Sequence, residues 1–266
     1  MRDRPWSNRQ MEIVGRCIRD HIETPADCPD YNDVMLWYDD LTAEVKAMAD
    51  ALPWRQILPQ VLPSITERTK TIDTLRDKLG RLASGPLHSI VDISGVRIDA
   101  EMTTIQQDAV ADAVVAAFGP ERCSIKDLRD GGHSGYRAVH VHVKHRRARA
   151  EIQIRTELQS KWANTYERLG DVAGRQVRYG EPAGQPEWQQ VVASLQSISR
   201  TVITEIEEAK CAFSLYPGLS DFVWDDIDRL PDSVKAQADA ILEQEGTLST
   251  MLDDIERDLT KLARKG

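Results

Sequence analysis

The chain has 266 residues, a formal net charge of −9, 41% hydrophobic residues and 6% aromatic residues. That apolar fraction supports a packed core and excludes wholesale disorder, and the negative balance excludes a generic nucleic-acid coat while leaving room for a local basic site. No apolar run approaches the roughly 18 residues of a membrane span, and the N-terminus lacks a signal-peptide core, so a cytoplasmic protein with no membrane partner is expected. Cys17, Cys28, Cys123 and Cys211 are scattered without CxxC spacing. This argues against a zinc site or disulfide framework and for reduced thiols.

In chain order, residues 8–22 and 32–50 read as amphipathic helices, with Met11, Ile13, Val14, Cys17 and Ile18 on the first apolar face. Pro53, Pro59 and Pro63 punctuate a connector. A third helix is expected over 71–82, closing toward Gly85-Pro86. Residues 89–98 are short, β-branched and apolar, which predicts a buried strand. A helix over 103–118 and a strand over 122–128 follow, then a loop, Gly131-Gly132-His133-Ser134-Gly135. Residues 136–144 alternate and pair as a hairpin with 148–155. Residues 186–214 read as one long helix, and 232–264 as another with apolar residues at heptad-like spacing. That last helix packs on its own domain or serves as a partner helix, so a homo-oligomer is one expectation.

The stretch Glu151-Ile152-Gln153-Ile154-Arg155-Thr156 reads as a strand running into a helix, with Thr156 as N-cap. Alternation puts Glu151, Gln153 and Arg155 on one face. A carboxylate, an amide and a guanidinium before a helix N-terminus suit a phosphate-and-metal site, although an ordinary half-solvated strand has the same pattern.

Three upstream clusters bear on that choice. Lys70, Thr74 and Lys78 are four apart and line one helix face, with Arg68 just before them. A hydroxyl between two ammonium groups suits a polyphosphate, and a guanidinium can pair with phosphate or stack on a base. Asp92 and Arg97 interrupt the apolar run, which is costly unless they are paired or bind something, and Asp92 is a hard oxygen ligand. Lys126-Asp127 precedes the glycine loop and Tyr136-Arg137-Ala138-Val139-His140, where a tyrosine beside an Arg and a His can stack a base and bind phosphate.

These ordered motifs resemble the synthetase domain of the RelA/SpoT family, which makes the alarmones (p)ppGpp. R-x-K-x-x-x-[S/T]-x-x-x-K appears as Arg68, Lys70, Thr74 and Lys78. D-[IL]-x-G-[IV]-R appears as Asp92 to Arg97, K-D…G-Y-R-x-x-H as Lys126-Asp127 with Gly135 to His140, and E-[IV]-Q-[IVL]-R-T…W-A as Glu151 to Thr156 with Trp162-Ala163.

The resemblance implies an α+β fold. It is a mixed β-sheet of nucleotidyltransferase-like type flanked by helices, with helical N- and C-terminal extensions. The expected division is 1–62 helical, 63–182 synthetase core and 183–266 helical. The implied reaction moves the β,γ-pyrophosphate of ATP to the 3′-OH of GDP or GTP. Arg68 and Arg97 are implied to sandwich adenine, and Lys70, Thr74 and Lys78 to hold the ATP phosphates. Asp92 and Glu151 are implied as catalytic Mg²⁺ ligands. Lys126, Tyr136, His140 and Gln153 surround the acceptor, with Tyr136 stacked on its base. No His-Asp dipeptide of the family's hydrolase domain occurs, so a small, synthetase-only type is expected.

Departures fall on the acceptor side. Tyr166 stands where small synthetases carry a Glu in W-A-x-x-E-H, and Gly131 to Ser134 replace a proline-lysine-asparagine stretch. Toxins of toxin–antitoxin pairs in this family pyrophosphorylate the 3′-CCA end of tRNA or make adenosine alarmones. From Arg122 to Arg155 there are nine Lys/Arg against three Asp/Glu, which suits a tRNA acceptor or equally a solvated basic hairpin. A tRNA and an antitoxin protein are thus alternative partners. A catalytically inactive nucleotide-binding module is the third reading.

Overall fold

The computed structural model describes residues 2–81, 86–132, 134–215 and 230–264. The expected helix end near Gly85 and His133 of the glycine loop lie outside the described residues.

A five-stranded mixed sheet forms the centre, in the order β1-β2-β5-β4-β3. The strands are β1 (Ser64–Thr69), β2 (Ser94–Ala100), β3 (Cys123–Asp127), β4 (Val139–His145) and β5 (Ala148–Thr156). β2 and β5 run parallel and the other pairs antiparallel. The sheet sorts the alternating residues of its central strands. Val96, Ile98, Val139, Val141, Val143, Ile152 and Ile154 are all buried in one core. Fully burying each such side chain contributes about 1.5–3 kcal/mol.

That apolar face is covered by α1 (Asn8–Asp20), α2 (Tyr31–Asp50) and α5 (Thr104–Phe118). Tyr38, Leu41 and Val45 of α2 and Val110, Val114 and Phe118 of α5 belong to the same core as the strands, as do Met11 and Val14 of α1. A buried hydroxyl pair, Thr42 Oγ1 donating to Ser94 Oγ at 2.9 Å, pins α2 to the start of β2. After the short α3 (Trp54–Ile57), Leu75 and Leu79 carry α4 (Ile72–Arg81) into this core.

A second core lies on the side of α6 (Glu157–Ala173), α7 (Pro186–Ile198), α8 (Thr204–Ser214) and α9 (Asp232–Ala263). Leu158, Trp162, Tyr166 and Leu169 of α6 meet Leu195, Ile206, Leu248, Leu252 and Leu259 there. Among the described residues, no helix is long and apolar enough to cross a membrane.

Three local expectations need correction. The connector before Lys70 contains the edge strand β1, so Arg68 sits on a strand and Lys70 precedes the helix rather than opening it. The expected strand at 89–98 begins only at Ser94, after a 3-10 turn at Leu87–Ser89, so Asp92 lies in the bend before β2. The helix expected over 186–214 is interrupted by a π segment, Ser199–Ile203, between α7 and α8. This segment aims Ser199 Oγ at the carbonyl of Gly135, and Arg200 Nη2 donates to Gly132 O at 2.9 Å. A π turn that grips the glycine loop is a departure from helix with a local purpose.

Candidate active site

The polar residues of the strands meet on the face opposite the valines and isoleucines. Register makes the rows explicit. Arg97 faces Gln153, Gln153 faces His140, and His140 faces Lys126 across four strands. One step along, Gly95 faces Glu151 and Glu151 faces His142. Gly95 is needed there because a Cβ would meet Arg68 O at 3.0 Å, against the β1 backbone.

α6 starts where β5 ends. Thr156 accepts from Gln159 N at 3.2 Å, and Gln159 Oε1 accepts from Thr156 N in return, a capping box. Glu207 of α8 locks this junction. Thr156 Oγ1 donates to it at 2.7 Å, Gln159 Nε2 at 2.8 Å and Arg137 Nη2 at 3.0 Å. Arg137, read from sequence as a phosphate-binding group beside Tyr136, is therefore buried against Glu207 and holds the loop to the helix.

A cleft of about 280 Å³ lies over this face. Arg68, Asp92, Arg97, Tyr136, His140, Glu151 and Gln153 all line it, together with Arg155. Lys70 and Lys78 reach it through Asp92, donating to its two oxygens at 2.7 and 2.6 Å. Burial pushes the Asp92 carboxyl up, but the two ammonium groups outweigh that and hold it below the usual range. Thr74 and Lys126 are not among the lining residues. The Thr74 hydroxyl donates to Thr71 O at 2.9 Å, and Lys126 is exposed on β3 beside His140.

Glu151 has three polar neighbours in the cleft. Its Oε1 lies 3.2 Å from His140 Nδ1 and 3.2 Å from His142 Nε2, and Gln153 Nε2 donates to Oε2 at 2.7 Å. Burial opposes ionisation, yet the two histidines and Gln153 hold the carboxyl well below its ordinary value. Tyr136 Oη sits 2.9 Å from His140 Nε2, and burial pushes this phenol up to about 12.

Two contributors, His142 and Glu167, were not singled out in the sequence. His142 looked like one more outward residue of an alternating strand, and only the hairpin register sets it against Glu151. Glu167 accepts from Arg68 Nη2 at 2.7 Å and lies 3.5 Å from Arg97 and 3.9 Å from Arg178. Burial raises it, and the three guanidiniums bring it below the usual carboxylate range. Ser134 and Arg178 also line the cleft. Tyr166 stacks on Trp162, with centroids 4.6 Å apart and planes 14° apart, and its hydroxyl donates to Val177 O at 3.1 Å. Arg97 Nε is a buried donor without a partner.

Residues 67–169 match the family described as the region found in RelA / SpoT proteins. Over 222 residues the chain is 42% identical to an uncharacterized protein of Mycobacterium tuberculosis, covering 80% of each. A Mycobacterium bovis protein matches to the same extent. The chain belongs to the RelA/SpoT family. Its fold is that of small alarmone synthetase 1 from Bacillus subtilis, solved with its product pppGpp. The TM-score is 0.51 at 20% identity, over 68% of this chain and 95% of that one. A GTP pyrophosphokinase family protein from Streptococcus pneumoniae gives 0.50 at 21% identity, over 68% and 93%. Residues of all four motifs line the cleft, the first through Arg68, with Lys70 and Lys78 joined to it through Asp92.

Proposed function

We propose that the chain is an ATP-dependent pyrophosphokinase that transfers the β,γ-pyrophosphate of ATP to the 3′-OH of a cytoplasmic guanosine nucleotide, making (p)ppGpp. The observation that carries this reading is the single cleft in which Arg68, Asp92, Arg97, Tyr136, His140, Glu151 and Gln153 meet. In the reaction the acceptor 3′-oxygen bonds to the β-phosphorus, the bond from that phosphorus to the α,β-bridging oxygen breaks, and AMP leaves. Such a transfer needs charge neutralisation and in-line positioning more than covalent catalysis.

Donor-side residues divide that work. Arg68 and Arg97 offer planar cations for adenine, and the unpartnered Arg97 Nε supports a ligand in this half of the cleft. Lys70 and Lys78 already surround Asp92, so their charge stands beside the carboxylate where the triphosphate would lie, with Thr74 one turn before Lys78 on α4. Asp92 and Glu151 are both held ionised, which fits a divalent cation. When bound, that ion supplies charge neutralisation to the phosphate oxygens.

On the acceptor side, Tyr136 offers a ring for the base, with His140, Gln153 and the nearby Lys126 around it. Glu151 orients the 3′-OH and takes its proton as the new bond forms. Its depressed basicity makes it an orienting acceptor more than a strong base.

Incubating the protein with ATP labelled at the γ-phosphate and GDP, GTP, AMP or deacylated tRNA tests the reading. A labelled guanosine product is expected. Label on tRNA alone would reject it in favour of a toxin with an antitoxin partner. ATP binding with no transfer at all would favour a binding module.

A further inference from the structure

His140 and His142 stand two residues apart on β4, so both side chains lie on the polar face of the sheet. Glu151 is the cross-strand partner of His142. Together the three bring one ligand atom each to within 4.8 Å of one another. Two of the separations, His140 Nδ1 and His142 Nε2 to Glu151 Oε1, are 3.2 Å. Metal–ligand bonds of about 2.0–2.2 Å meeting at tetrahedral or facial octahedral angles require donor separations of roughly this size.

The surroundings are those of a metal site. Two of the three ligands, His140 and Glu151, have an outer partner on the far side. Tyr136 Oη lies 2.9 Å from His140 Nε2, the ring nitrogen turned away from Glu151. Gln153 Nε2 holds Glu151 Oε2 at 2.7 Å, leaving Oε1 toward the histidines. Partners of this kind fix the tautomer of a ligating imidazole and the orientation of a ligating carboxylate. His140 and Glu151 are buried, and both line the cleft, so open coordination positions would face its interior. Arg155 on the same strand is turned to Asp99, and Arg68 at the cleft edge to Glu167.

We infer that His140, His142 and Glu151 form a three-ligand site for a borderline divalent transition metal, of the class of Zn²⁺, Co²⁺ or Mn²⁺, opening into the cleft. Two imidazoles with one carboxylate suit such ions, whereas Mg²⁺ prefers an all-oxygen sphere and retains its waters. His142 is the residue that changes the preference. With a valine in its place, Glu151 and Asp92 would offer carboxylates flanked by a single imidazole.

The test uses the full chain stripped with a chelator and titrated with Co²⁺, reading visible d–d absorption and calorimetric stoichiometry. One Co²⁺ per chain is expected, and excess Mg²⁺ should not displace it. Removing an outer partner typically weakens a metal site roughly 10–100-fold, so Tyr136→Phe should fall in that range and His142→Val should lose at least that much. His142 lies between Val141 and Val143, so valine suits the strand. Should His142→Val unfold, His142→Gln serves in its place. Absence of saturable Co²⁺ binding, equal displacement by Mg²⁺, or unchanged affinity in a folded His142 variant would overturn the inference. The readout is binding alone. Saturable Co²⁺ binding without pyrophosphate transfer would leave this site standing, and transfer without Co²⁺ binding would remove it while leaving the proposed reaction intact.

Discussion

Arg155 and Asp99 lie side by side on β5 and β2 and meet as a fork, Nε 2.8 Å from Oδ1 and Nη2 2.9 Å from Oδ2. The Arg155 side chain is 2% exposed. This pair answers a question left by the strand pattern: the guanidinium beside Glu151 and Gln153 is neutralised from within the sheet. Replacing Asp99 with Asn would leave a buried charge uncompensated. A loss of about 3–5 kcal/mol in urea unfolding is expected. The double variant Asp99→Asn with Arg155→Met should recover part of that loss. Wild-type stability in Asp99→Asn would show that the fork does not hold the strands.

Asp92→Asn and Glu151→Gln should each abolish detectable pyrophosphate transfer while retaining the far-UV circular dichroism of the parent. Both carboxylates are bonded to neighbours that keep them ionised, Asp92 to Lys70 and Lys78, Glu151 to His140 and His142. Full activity in either purified variant would remove that residue from the proposed chemistry.

Arg68 is largely exposed and pairs with Glu167 at the cleft edge. Arg68→Ala should leave the unfolding midpoint nearly unchanged and raise the KM for ATP about tenfold, the loss of roughly 1–2 kcal/mol of cation–π and stacking contact. A KM equal to that of the parent would separate Arg68 from adenine.

Tyr166, which the resemblance puts where a carboxylate was expected, is built into the second core. Its ring stacks on Trp162, its hydroxyl donates to Val177 O, and Gln196 Nε2 donates to that hydroxyl at 2.8 Å. Tyr166→Phe strands the buried Val177 carbonyl and the half-buried Gln196 amide and should cost about 1–3 kcal/mol by chemical denaturation. A neutral substitution would show that water replaces the hydroxyl freely.

Acid stability should depend on Glu44. Arg146 donates to its Oε1 at 2.8 Å, and His145 Nε2 lies 3.1 Å away. The Arg146 hydrogen bond, against opposing burial and helped by His145, lowers this carboxyl from 4.5 to about 2. A depressed carboxyl contributes stability above its unfolded value, and that contribution fades as pH falls through the folded one. The stability gap between the parent and Glu44→Gln should be constant above about pH 5 and shrink toward pH 2. A gap that does not change over that window would contradict the assignment.

Much of the site was legible because its signals are local. The Thr156 cap and the pairing of β4 with β5 each occupy one short stretch and take the expected form, whereas Arg68 sits on a strand and Asp92 in the bend before β2. The edge strand β1 was not legible. In Ser64-Ile65-Thr66-Glu67-Arg68-Thr69 only Ile65 is apolar, and the segment is a strand because β2 pairs with it. Strand preference in such a segment comes from its neighbours more than from its own residues.

Sequence alone determined the family, the mixed sheet and most of the polar residues that line the cleft. Tertiary structure decided who pairs with whom. It gave Asp92 to two lysines, Arg137 to Glu207, Arg155 to Asp99, and Glu151 to His142. Apart from the His142–Glu151 contact across the hairpin, each pairing joins residues far apart in the chain. Strand register and helix docking set these distances, and an unpaired charge in a buried cleft is too costly to persist.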